Sequence, residues 1–374
     1  MNKSKLLNIL KTITSLIVIL AMFVIIYYQN RDRDTFKSGK GESNNIISTN
    51  QNSLTGFSAG NLSKIGGNVA LLTTTSYSIH NNNGTYKSSN IAFSQPVLHT
   101  EGSYAVCYEL NSTQLYVFKN NSESYSVITE NKIFQAKVNK NGYLFVAIEK
   151  DGYNCECLVY NRSGDPIFKW DISKSEFIDG DINYNNDAIV LSLASSDGNE
   201  LVGELLLVDI TNAKIIKRTT YNASMFFSVD FNDNGTYTAL GNNSLKYFNY
   251  DGTEKWQYDY EGKKLLKADV SNHDMLVLAF SGSGEMYDGN STEVVALSKL
   301  GKRTGKKTFD GSVDDLSVGS NCVAIAINKD IYIMNSKLSG KKTAKTNYRI
   351  KQIALFSDDT HVFVLGSSSG EILR

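Results

Sequence analysis

The chain has 374 residues, 41% of them hydrophobic and 11% aromatic, which is enough apolar material for a large core and excludes a disordered polymer. Lys plus Arg and Asp plus Glu both number 38, so the formal net charge is zero and a globally basic nucleic-acid binder is excluded.

A short tail, residues 1–5, precedes the one long apolar run, residues 6–28, where only Asn8 and Lys11 are strongly polar. At about 1.5 Å per residue, a helix over this run spans roughly 34 Å, enough for a bilayer core of about 30 Å. Tyr27 and Tyr28 fall where an interfacial aromatic belt belongs. The run ends in Tyr-Tyr-Gln-Asn-Arg with no small-residue cleavage site, so it reads as an uncleaved anchor. Lys3, Lys5 and Lys11 precede it, and Arg31, Arg33, Lys37 and Lys40 follow it, so flanking charge does not set the orientation. The minimal tail before a long C-terminal domain gives the expectation of a single-pass cell-membrane protein with that domain extracytoplasmic. Residues 29–56 read as a flexible linker, rich in Ser, Asn and Gly, whose end is a candidate closing strand.

Beyond it, residues 57–374 show no helical period. Short apolar runs recur instead: VALLTT, YAVCYEL, YLFVAIE, AIVLSLA, TYTALG, MLVLAF, CVAIAIN and HVFVLG. Each reads as a buried or half-buried strand bounded by Asn/Asp/Gly turns. One turn precedes each run (VNKNGY, FNDNGT), and a second follows the next strand, with its glycine at Gly84, Gly164, Gly252, Gly301 and Gly340. Six intervals separate Gly84 from Gly340, a period of about 43 residues, which with four strands per unit is the signature of a β-propeller. The fold expected is therefore all-β, a propeller of about eight four-stranded blades preceded by one transmembrane helix. Seven blades result if the first unit merges with the last. The final unit, residues 349–374, lacks a fourth strand, which residues 44–54 could supply to join the ring.

The outer-strand patterns NRSGDPIFKW and YDGTEKW resemble those of quinoprotein-type eight-bladed propellers. The resemblance stops short of their docking motif: no Ala-x-Asp-x-x-Thr-Gly repeats, and the only Trp are Trp170 and Trp256, expected to wedge between blades. The whole chain, through its anchor, units such as FNDNGTYTALGNNSLKYFNYDGTEKW and the C-terminal VLGSSSGEILR, is similar to an uncharacterised bacterial family, domain of unknown function 5711. That resemblance implies a membrane-anchored, propeller-like ectodomain. It implies no activity and carries no residue roles.

Local motifs give little chemistry. Gly366-Ser-Ser368-Ser-Gly370 spells a nucleophile elbow, but it lies between two strands with no acid or His downstream, so it reads as a hairpin. Asp230, Asn232, Asn234 and Gly235 open like a calcium loop, yet position twelve is Gly241. The stretch from Gly301 to Thr308 is one spacer short of a phosphate loop and no helix follows it. His80, His99, His273 and His361 lack metal-ligand spacing and read as solvated surface residues. Cys107, Cys155, Cys157 and Cys322 read as small buried side chains rather than a disulfide framework. No cofactor is expected.

Charge is the asymmetric signal. Between Glu149 and Asp209 there are 13 acidic and 4 basic residues, and between Lys299 and Lys351 there are 12 basic and 4 acidic. Lys302, Arg303, Lys306, Lys307, Lys341 and Lys342 form a candidate basic sector for an anionic partner, a protein or a cell-wall polymer. The partners expected are this one and membrane lipid around the helix, with no nucleic acid. The function expected is a membrane-tethered binding or scaffolding module at the cell envelope. The alternative is a propeller enzyme, hydrolase or quinoprotein-like oxidoreductase, with a central-channel site.

Overall fold

The computed structural model describes residues 54–55, 60–84, 86–271, 274–282, 291–340 and 342–374. Among them no helix is long and apolar enough to cross a membrane. The span expected over 6–28 and the linker up to residue 53 lie outside the described residues.

The described strands assemble into eight four-stranded antiparallel sheets, each a blade. In chain order the blades cover residues 60–90, 96–128, 133–172, 176–222, 226–259, 265–310, 315–345 and 352–373. The first strands of most neighbouring blades pack on one another around an axis, blades 5 and 6 share a core of Leu240, Leu245, Leu276 and Leu278, and the first blade's first strand contacts the eighth's, closing an eight-bladed propeller. The seven-bladed alternative falls because residues 60–90 form a complete sheet of their own. Blade 8 takes its fourth strand from the other end of the chain, where Leu54–Thr55 pairs antiparallel with Ser369 and Gly370. This covers an edge that would otherwise offer its N–H and C=O groups to another chain.

Burial explains the pattern of apolar runs. Second strands such as Leu144–Ile148 and Cys322–Ile327 are buried throughout, because both faces of a blade pack on its neighbours. Fourth strands such as Lys214–Asn222 are largely exposed at the rim. Because every pairing is antiparallel, the first-to-second and third-to-fourth turns of all blades share one end of the propeller. This end is called the lower face here, and the opposite end the upper face.

Three of the five glycine landmarks, Gly164, Gly252 and Gly301, mark an interblade contact on the lower face. Gly301, in the third-to-fourth turn of blade 6, has φ +72° and lies against Trp256 on the outer strand of blade 5. A Cβ there would come within 2.6 Å of the indole. The indole Nε1–H donates to Lys299 O at 3.1 Å. Gly164 meets Tyr125 of blade 2, and Gly252 meets Lys217 of blade 4, in the same way. Trp170 is half-buried between blades 3 and 4. All four cysteines are free and buried.

Candidate functional site

The inner strands have one edge paired within the blade and the other turned to the axis, so their backbone N–H groups need partners there. Alternate side chains on these strands supply them across the blade junctions. His99 Nδ1 accepts from Val138 N, Gln135 from Gly180 N, and Asp179 and Asp181 from Val229 N and Phe231 N. Asp269 accepts from Val318 N, Asp315 and Ser317 from Ile353 N and Leu355 N, and Gln352 from Leu62 N. Each acceptor belongs to the blade before its donor, giving a directional set of spokes around the ring.

Two lysines bridge wider gaps. Lys137 on blade 3 donates to Asp179 on blade 4 and to Asp230 and Val229 O on blade 5, each at 2.9 Å. Gln135 also donates to Asp179. Lys64 on blade 1 donates to Val318 O on blade 7 at 2.6 Å and to Ser271 at 3.1 Å, with Asp269 3.8 Å away. Toward the lower face, Tyr184 donates to Glu101 at 2.8 Å, and Lys140 pairs with Asp233 while lying over the Tyr184 ring.

Burial sets the electrostatics. It opposes the charge on Lys137, but the surrounding Asp179, Asp230 and Asp181 carboxylates outweigh it and hold the ammonium above its ordinary range. Burial pushes Asp181 up to about 8 despite Lys137, because the ammonium bonds other carboxylates directly. For Asp230, burial is overcome by Lys137 and the Ser228 hydroxyl, which hold it below the usual carboxylate range. Burial, with Lys137 nearby, presses His99 down to about 3. Asp315 rises to about 6, chiefly through burial. The network thus keeps a neutral imidazole and a charged ammonium among carboxylates, with each of these carboxylates bonded to backbone or to a counter-charge.

Sequence reasoning missed this network, although its signal is present. Polar residues two apart interrupt the first strand of successive units: Gln135 and Lys137, Asp179 and Asp181, Ser228 and Asp230, Asp315 and Ser317. Asp230 opens the calcium-like spacing, but its carboxylate meets Lys137 and Ser228, while Asn232 and Asn234 both bond Thr236. Among the described residues no group of three His, Cys, Asp or Glu could hold a metal ion.

Two histidines differ from the solvated reading. His80 is buried, stacked on Tyr86 and edge-on to Phe363 across the junction of blades 1 and 8, and burial lowers it to about 4. His99 belongs to the spokes. A neutral imidazole serves both places, as a flat ring between blades and as an acceptor facing the axis. His361 is half-buried and bonds Asp358 at 2.5 Å, and His273 lies outside the described residues. Gly366 and Ser369 close a hairpin, with Gly366 N donating to Ser369 O. The stretch from Gly301 to Thr308 runs from a turn into an outer strand, so no phosphate cradle forms there.

The basic sector maps to adjacent blades 6 and 7. Arg303, Lys306 and Lys307 lie on the outer strand of blade 6, Lys302 in the turn before it, and Lys342 on the outer strand of blade 7. Lys341 lies outside the described residues. Lys306 is paired with Glu293 at 2.7 Å, and Lys307 lies over the Phe309 ring. The turns of the two blades touch: Thr304 donates to Ser336 O at 2.8 Å, and Gly305 packs under Lys337.

A model of a family described as a family of unknown function (DUF5711) matches residues 39–374. The C-terminal WD40 domain of Sif2 superimposes with a TM-score of 0.61 at 11% identity, covering 89% of this chain and 99% of that one. The crystal structure of a eukaryotic initiation factor gives 0.53 at 13% identity, over 81% of this chain and 80% of that one. At these identities the likeness is one of fold. None of the curated proteins matches.

Proposed function

Because this chain belongs to the DUF5711 family of unknown function, whose propeller fold by itself names no activity, we propose from its own residues that it is a membrane-tethered, extracytoplasmic binding or scaffolding module at the cell envelope. The tether is the helix read over residues 6–28, and the linker 29–56 gives the propeller reach above the bilayer. The observation that carries the binding reading is the axis of the ring. Lys64, Lys137 and the buried carboxylates tie blades together around it and bond the protein's own backbone, so they favour recognition on the faces and rim over chemistry in a central channel. An anionic partner, protein or wall polymer, fits the cations of blades 6 and 7.

Alkaline carbonate washing of membranes from expressing cells tests the tether. The full chain should stay in the pellet, while a chain beginning at residue 41 should be soluble. Release of the full chain by carbonate would refute an integral anchor.

A further inference from the structure

Resting on the tethered reading, we propose that the lower face of blades 5–7 docks onto the anionic phospholipid headgroups of the membrane that holds the chain. Three independent features converge there.

The first is charge. Lys302 and Arg303 of blade 6, and Lys337 and Lys342 of blade 7, lie in or beside two equivalent third-to-fourth turns on the same face of adjacent blades. These turns are joined by the contacts of Thr304 and Gly305 with residues 336–338, so they form one ridge. Among the described residues no carboxylate is paired with these four cations, whereas nearby Lys299 is neutralised by Asp274.

The second is apolar exposure at turn tips. Tyr250 is 75% exposed at the blade 5 turn, and Leu300 is 57% exposed at the blade 6 turn. Leu300 lies between Lys299 and Lys302, and Tyr250 stands next to Asp251 on the adjacent blade. An aliphatic tip among cations with an aromatic tip on the neighbouring turn matches the chemistry of a lipid interface, where apolar groups enter the acyl boundary and cations meet phosphates.

The third is the direction of the chain. Leu54 pairs with Gly370 and Thr55 with Ser369, so the strand runs from the lower toward the upper face, in the blade next to blade 7. At Leu54 the chain thus enters blade 8 from the lower-face side.

The test uses the full chain reconstituted into nanodiscs of phosphatidylcholine, with or without phosphatidylglycerol. Since the native cysteines are buried, a polarity-sensitive dye can be placed on L300C alone, or on D197C at an exposed turn of the upper face as control. The dye at position 300 should shift to the blue in phosphatidylglycerol discs only. The shift should vanish in K302E/R303E/K337E/K342E and reverse as salt rises, with the control silent throughout. Equal emission at position 300 in both disc types, or equal shifts at 300 and 197, overturns the docking and leaves the tether standing. Failure of the full chain to enter discs overturns the tether and the docking with it. Thermal melts of each variant confirm that the propeller remains folded.

Discussion

Replacing Lys137 with methionine removes a buried ammonium that is shared by two carboxylates. The ammonium makes three 2.9 Å bonds, to Asp179, Asp230 and Val229 O, and the residue is 7% exposed. Methionine keeps most of the volume and removes the charge, leaving Asp179 and Asp230 without their common partner. Removing one member of a buried ion pair costs about 3–5 kcal/mol, a large share of the 5–15 kcal/mol typical of a whole domain. The orphaned carboxylates then gain protons more readily in the native state than in the unfolded chain. The native variant binds the extra protons, so its deficit should shrink as pH falls from about 7 to about 5. K137M/D179N/D230N should recover most of the loss, because the amide that D179N introduces still offers an oxygen to Val229 N. Urea denaturation at both pH values measures each quantity. A K137M deficit below about 1 kcal/mol, or one unchanged by pH, would refute a buried ammonium balancing these carboxylates.

Three further outcomes follow from the same geometry. Asp181, raised to about 8, keeps a proton that the unfolded chain gives up near pH 4, so it lowers stability as pH climbs between those values. The melting temperature of D181N minus that of wild type should therefore increase from pH 5 to pH 8, and a constant difference would contradict the assignment. Gly301→Ala places a Cβ in the left-handed region and against Trp256, and should cost about 2–3 kcal/mol with a change in Trp fluorescence. A soluble chain beginning at residue 57 should be less stable than one beginning at residue 41 by roughly 1–3 kcal/mol and should self-associate. Equal melting temperatures and equal monodispersity would show that closure does not depend on Leu54–Thr55.

What was legible in the sequence was whatever repeats with the blade. Gly164, Gly252 and Gly301 stand out because each combines positive φ with close approach to the preceding blade, a pairing that a residue with a side chain meets only under strain. The aliphatic second strands stand out because both their faces are covered. The spokes were less legible because their chemistry differs from junction to junction: His99, Gln135, Asp181, Asp269, Ser317 and Gln352 all accept a backbone N–H, and only the function repeats. A first strand with polar residues two apart also looks like any half-solvated strand until the ring is closed around it. The basic sector was visible as composition. The contact of Thr304 with Ser336, which makes neighbouring turns into one ridge, needed three dimensions.

Protease treatment of intact expressing cells with the wall removed decides whether the propeller stands outside the membrane on a single N-terminal anchor, as proposed. Digestion should remove the domain beyond residue 56 and leave a small membrane-bound N-terminal fragment. Full protection in intact cells, with digestion only after lysis, would place the propeller on the cytoplasmic side and contradict it.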